Sequence, residues 1–267
     1  MADDKAFTGS IPKIYENYLV PLLFEPYAAD MATRVAARSP KNVLEVAAGT
    51  GVVTRAMLGA LPRSAEIIAT DLNQAMLEQA AMHTMVRPVA FQQADAMELP
   101  FDDQTFDVVV CQFGVMFFPD KAKALAEARR VLRPGGALIF NVWDRLKNNE
   151  IADAVTVELA GVFPDDPPKF LPRTPYGYFD HAKIAGDVAA GGFAAKPEIV
   201  TVPAVSPAKN PNDPAVGYCH GTPLRAEIEA RGALDPATAA AAALIAKRFG
   251  PGPIKAKIQA HVVTVER

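Results

Sequence analysis

Between Lys41 and Val142, short apolar runs alternate with stretches whose apolar residues recur at helical spacing, which is how a parallel sheet with crossover helices shows itself in sequence. Strands are expected at 43–47, 66–70, 89–93, 106–111 and 137–142. The clearest helix carries Ala124, Leu125, Ala128, Val131 and Leu132 on one face and should stop at Arg133-Pro134-Gly135-Gly136. The pattern predicts an α/β doubly wound sheet over 41–143.

The flanks read differently. Ile14, Tyr15, Tyr18 and Leu19 predict a short helix bounded by Pro12 and Pro21, and Phe24, Tyr27, Met31 and Val35 a longer one ending before Pro40. After Val142 the regular alternation breaks up, because 14 of the 23 prolines fall in 161–267. Helices are expected at 150–159, at 181–190 capped by Asp180 and stopped by Gly191-Gly192, and around 223–230 and 236–249. Two final strands fall within 193–205 and 253–266, with apolar runs at 198–202 and 254–265. The reading is one domain, 1–267. Its N-terminal helices (1–40) and insertions 145–180 and 206–250 would form a cap over the sheet edge where open α/β folds bind ligands.

Half of the residues are hydrophobic, about a fifth charged, and the net charge is −3, the profile of a globular chain rather than a fibrous or disordered one. A pI near 5.8 gives no global positive field, so nucleic acid is disfavoured as a partner. The densest basic cluster, Arg129, Arg130 and Arg133, sits at a helix C-terminus and reads as a solvated face. No signal peptide and no integral membrane segment is read, and a cytoplasmic location is expected. Cys111 and Cys219 are too few for a disulfide framework and lack metal-ligand spacing, so reduced thiols and no metal site are expected.

The candidate chemistry begins at Val43-Leu44-Glu45-Val46-Ala47-Ala48-Gly49-Thr50-Gly51, where small residues end a strand just before a helix and allow close approach of a ligand. A dinucleotide fingerprint would require glycine at 54, and Thr54 stands there; no Gly-Lys-Ser/Thr follows to make a P-loop. Asp71, 20 residues after Gly51, ends the second strand where a carboxylate can accept from both ribose hydroxyls. Asp95 ends the third, where it can accept from an adenine amino group while the Ala96 amide donates to the ring.

With these residues, together with Leu99-Pro100-Phe101, Phe106-Asp107 and Leu132-Arg133-Pro134-Gly135-Gly136, the chain resembles the class I S-adenosylmethionine-dependent methyltransferases. The similarity covers about 43–142 and is strongest to the subgroup akin to ubiquinone and menaquinone biosynthesis methyltransferases. It implies a Rossmann-like seven-stranded sheet of order 3-2-1-4-5-7-6, last strand antiparallel, and S-adenosyl-L-methionine as cofactor. It further implies that Glu45 and the loop Ala47, Gly49, Thr50 and Gly51 hold the methionine part, Asp71 the ribose, and Asp95 with Ala96 the adenine. Leu72 and Met76 would flank the ring and Gln112 would lie at the methionine end. Ala47 departs from the commonest pattern, which has glycine there.

The expected activity is methyl transfer to a small lipophilic or aromatic metabolite. The alternatives are RNA or protein methylation and a non-catalytic cofactor-binding module; an NAD-dependent oxidoreductase is disfavoured by Thr54 and Asp95-Ala96. Cys111-Gln112-Phe113-Gly114 lacks the Asn/Asp-Pro-Pro-Tyr/Phe pattern of adenine or glutamine amino methylation. On the acceptor side, Tyr15, Tyr18, Tyr178 and Arg225 are candidates. His220, read in a glycine-flanked bend, is the candidate base. His83, His181, His261 and Asp107 read as structural.

Overall fold

In this computed structural model, which describes residues 4–267, the strands are β1 (Asn42–Val46), β2 (Glu66–Asp71), β3 (Ala90–Gln93), β4 (Phe106–Gln112), β5 (Leu132–Trp143), β6 (Glu198–Ala208) and β7 (Ile254–Glu266). They form one sheet in the order β3-β2-β1-β4-β5-β7-β6. The pairs β1–β2, β1–β4, β2–β3 and β4–β5 are parallel. Along β5 and β7, Arg267 N donates to Gly136 O and Asp144 N to Gln259 O, a register that runs down one strand as it runs up the other, so β7 is antiparallel.

The helices are α1 (Ile11–Ile14), α2 (Glu25–Ala36), α3 (Val52–Ala60), α4 (Gln74–Ala81), α5 (Lys121–Val131), α6 (Glu150–Val162), α7 (Phe170–Arg173), α8 (His181–Ala190), α9 (Asn212–His220), α10 (Leu224–Glu229) and α11 (Leu234–Phe249). Tyr15–Phe24 is a π-helix with Pro21 inside it, so α1, the π-helix and α2 run on where two helices separated by Pro21 were expected. The Asp120 and Asp180 carboxylates cap α5 and α8 by accepting from Lys123 N and Lys183 N. β5 starts at Leu132, so the Arg133–Gly136 stretch belongs to the strand; β6 runs on to Ala208, three residues past 205. Pro203 and Pro207 lie in β6, which is an edge strand.

The chain divides into two compact units. One comprises Tyr27–Val142, Tyr178–Val202 and Ala260–Arg267. Its central strands β1, β4 and β5 are largely buried on both faces, as a parallel sheet between helical layers requires, while the edge strand β3 is largely exposed. Val43, Val108, Val110 and Ile139 pack with Met31 and Val35 of α2 and Val53 and Met57 of α3. The alternate residues Val46, Val109 and Leu138 meet Leu125 and Ala128 of α5. Met57 is fully buried, so truncation to alanine should cost about 2–5 kcal/mol.

The other unit comprises the N-terminal segment to Pro26, Trp143–Gly177 and Pro203–Gln259. It gathers the π-helix, α6, α9, α10 and α11 around Leu19, Leu23, Val155, Tyr218, Ile228 and Ile245, all buried. Among the described residues no helix is long and apolar enough to cross a membrane, and no three His, Cys, Asp or Glu come together to hold a metal ion.

Candidate functional site

All eleven cofactor candidates fall in the first unit, between Glu45 and Gln112. Where β1 ends, the backbone is left-handed at Ala47 (φ 55°), Gly49 (φ 57°) and Gly51 (φ 80°). Ala47 thus occupies a conformation that costs an L-residue roughly 1–2 kcal/mol. The turn is held by Ala48 N donating to Thr70 O at 2.9 Å and Gly51 N to Ala48 O at 3.0 Å. Arg55 Nη1 donates to Thr50 O at 2.7 Å. The Thr50 hydroxyl is buried with no hydrogen-bond partner, an arrangement that normally costs 1–3 kcal/mol.

Glu45 shares the face of Val43 and is therefore turned toward α3, where Thr54 donates to its Oε2 at 2.5 Å. The threonine that stands where a dinucleotide fingerprint has glycine is thus a partner of the acidic residue. Burial pushes the Glu45 carboxyl up to about 8, against the opposing pull of Thr54 and Arg55.

At the end of β2, Asp71 Oδ2 accepts from Gly49 N at 2.9 Å and Oδ1 from Asn73 N at 2.8 Å. Burial raises its pKa, partly countered by these amides. Asp71 therefore fastens the glycine loop to β2 and retains acceptor capacity for a ligand hydroxyl. Leu72 is exposed and Met76 buried. Beyond β3, Asp95 Oδ1 accepts from Met97 N at 2.8 Å, and Asp95 and Ala96 are half-buried.

The β4 end contains a feature that the sequence reading missed. Phe113 has φ 53°, a left-handed conformation rare for a bulky residue, and its amide donates to Asn141 Oδ1 at 2.8 Å. Asn141, buried on β5, also reaches Gln112 Oε1 at 3.5 Å. Next to it, a Cβ on Gly114 would lie 2.6 Å from the Ala47 methyl and 2.7 Å from Cys111 Sγ, so only glycine fits. Backbone strain thus collects at the ends of two neighbouring strands, β1 and β4. Cys111 is free and buried, its thiol pushed up to about 12 by burial.

Among the acceptor-side candidates, Tyr178 lies in the same unit, buried, donating to Asp187 Oδ2 at 2.8 Å with Lys121 Nζ over its ring at 5.0 Å. Tyr15, Tyr18, His220 and Arg225 belong to the other unit. Tyr15 stacks on Phe24 at 4.9 Å. A Cβ on Gly217 would meet Leu19 at 2.8 Å and Tyr18 Cβ at 3.3 Å, so α9 approaches the π-helix closely and carries His220 near the two tyrosines' segment. His220 is the last residue of α9 rather than part of a bend. Arg225 is paired with Glu229 and donates to Ser10 Oγ.

The residues read as structural have partners. Asp107 accepts from Lys41 N, Asn42 N and Arg133. Arg130 is tied to Glu127 and Asp103. His261 Nδ1 meets His181 Nε2 at 3.2 Å and Thr201 Oγ1 at 3.0 Å.

The donor set suits a nucleoside carrying an amino acid: a left-handed loop with an unsatisfied buried hydroxyl, and acids at three adjacent strand ends. Residues 44–140 match the family model described as a methyltransferase domain. The chain is 39% identical over 107 residues to the ubiquinone/menaquinone biosynthesis C-methyltransferase UbiE of Idiomarina loihiensis, covering 39% of this chain and 43% of that one. It is 38% identical over 111 residues to the demethylmenaquinone methyltransferase of Deinococcus radiodurans, covering 41% and 46%. These matches span less than half the length of either relative. The fold is that of the YcgJ protein from Bacillus subtilis, with a TM-score of 0.57 at 22% identity over 91% of this chain and 99% of that one. With its glycine loop, its acidic strand ends and the 3-2-1-4-5-7-6 sheet, the chain carries, over residues 44–140, an S-adenosylmethionine-dependent methyltransferase domain.

Proposed function

We propose that the protein methylates a small lipophilic or aromatic metabolite. The observation that carries this is the convergence, in one compact unit, of Glu45, Asp71 and Asp95 at the ends or edges of three adjacent strands around a left-handed loop whose Thr50 hydroxyl has no protein partner. In this reading Glu45 with Ala47, Gly49, Thr50 and Gly51 holds the methionine part of S-adenosylmethionine, and Asp71 the ribose. Asp95 and the Ala96 amide hold the adenine between Leu72 and Met76, and Gln112 lies at the methionine end. When bound, the cofactor supplies an electrophilic methyl group. The chain's own contribution is to align the acceptor and exclude water, together worth many powers of ten when the geometry is right.

The aromatic character proposed for the acceptor rests on Tyr15, Tyr18 and Tyr178, and on relatives whose names refer to quinone biosynthesis. Arg225 would supply a nearby cation and His220 a base. The cap is proposed from 1–40, 145–180 and 206–250. Incubation with methyl-labelled S-adenosylmethionine and separate pools of aromatic hydroxyl compounds, lipid extract, RNA and protein tests the reading. Label in the aromatic or lipid pool is expected; label confined to RNA or protein, or to none, overturns it.

A further inference from the structure

His220 ends α9, half-buried, and its Nε2 lies 3.0 Å from Thr238 Oγ1 on α11. A hydroxyl has one proton, and Thr238 spends it on Leu234 O, one turn back, at 2.8 Å. Its oxygen can therefore only accept from the imidazole, which puts a proton on Nε2.

We propose that Thr238 is a positioning residue that holds neutral His220 with its proton on Nε2, leaving Nδ1 as the nitrogen that takes a proton from the acceptor. This rests on the methyl-transfer reading and gives its candidate base a defined atom. The acceptor's proton goes to Nδ1. The electron pair that held it stays on the nucleophilic atom and forms the new bond to the methyl carbon, while the pair of the broken sulfur–carbon bond stays on sulfur; the imidazolium then returns its proton to water.

The surroundings favour a neutral ring. Burial first, and then Arg225 on α10, lower the pKa of His220, while Asp235 on α11 and Glu229 on α10 act in the opposite sense. At pH 7 the net downward direction keeps the ring unprotonated on one nitrogen, the form that a base requires.

The test is nitrogen NMR of the full chain labelled with ¹⁵N-histidine. At pH 8 the His220 resonances should show a proton on Nε2 and a bare Nδ1, retained in Thr238→Ser and replaced by a tautomer mixture in Thr238→Val. On an acceptor identified by the labelled-cofactor screen, Thr238→Val should lower kcat about tenfold, with serine restoring it and S-adenosylhomocysteine affinity unchanged. His220→Gln should lower kcat by roughly 10²–10⁴ and remove the acid limb of the pH profile. A wild-type proton on Nδ1, or a tautomer indifferent to Thr238→Val, overturns the proposal whatever the activity. The expected tautomer with a rate indifferent to His220→Gln overturns the base assignment. Absence of methyl transfer from every pool, with the cofactor bound, defeats the functional reading instead and leaves the tautomer standing.

Discussion

Replacing Glu45 by glutamine tests the proposed cofactor site at its least ordinary group. The carboxyl is buried, faces Thr54, and has a pKa pushed up to about 8, so at pH 7 only about a tenth of the free protein carries the charge that would meet a ligand ammonium. If binding requires that charge, affinity should rise about tenfold per pH unit below 8 and level off above it, roughly ninetyfold between pH 6 and pH 9. Glutamine keeps the shape and cannot ionise, so its affinity should be low and follow only the ligand's own titration; the difference between the two proteins isolates Glu45. Calorimetry with S-adenosylhomocysteine in two buffers of different ionisation heat would count the proton released, close to one at pH 7 for the wild type. Stability carries the opposite sign. The folded chain holds a proton on Glu45 that the unfolded chain has lost, so this contribution is complete below the unfolded value of 4.5 and fades as pH rises through about 8. A wild-type affinity that is flat from pH 6 to pH 9 with no proton released would refute the reasoning.

Asp71→Ala removes the acceptor of Gly49 N and Asn73 N and should weaken S-adenosylhomocysteine binding about ten- to a hundredfold by calorimetry; unchanged binding would count against the ribose assignment. Gly114→Ala should destabilise by about 1–3 kcal/mol in urea unfolding, with part recovered in Ala47→Gly/Gly114→Ala, because the added methyl meets the one on Ala47; additive effects would contradict this. Asn141→Ala should cost about 0.5–1.5 kcal/mol by removing the side-chain acceptor of the Phe113 amide, which keeps only its longer bond to Asn141 O at 3.2 Å, measured the same way. Hydrogen bonds from the Asn42 and Lys41 amides and from Arg133 outweigh desolvation and hold the Asp107 carboxyl below its ordinary range. Its contribution is therefore present above the unfolded value of 3.8 and lost as pH falls through the lowered one; Asp107→Asn should flatten the acid side of the stability curve.

The central parallel strands were legible because a sheet covered on both faces writes itself as apolar runs, and the places of Asp71 and Asp95 because they follow the strand runs, β3 being the shortest and most exposed of these. Three parts were not. Side-chain spacing does not reveal the carbonyl to which each amide donates, so the π-helix through Pro21 looked like two helices. The left-handed turn at Phe113 has no glycine to announce it; its signal lies on another strand, in Asn141. Thr238 sits in an alanine-rich run that gives no reason to single it out, and its partner is 18 residues away. What side-chain periodicity encodes was readable; the backbone pairing of the π-helix and the long-range side-chain hydrogen bonds of Asn141 and Thr238 were not.

The sheet's outer strand has a further consequence. A proline bears no N–H, so Pro203 and Pro207 can sit in β6 only with their nitrogens turned away from β7, toward the open side. Spaced four apart, they remove two donors from the same outward row, and a foreign strand approaching that side would meet two unanswered carbonyls within a few residues. The border of the sheet is thereby made unreceptive to edge-to-edge aggregation, a protection that Pro203→Thr/Pro207→Thr would strip away and light scattering at high protein concentration would register.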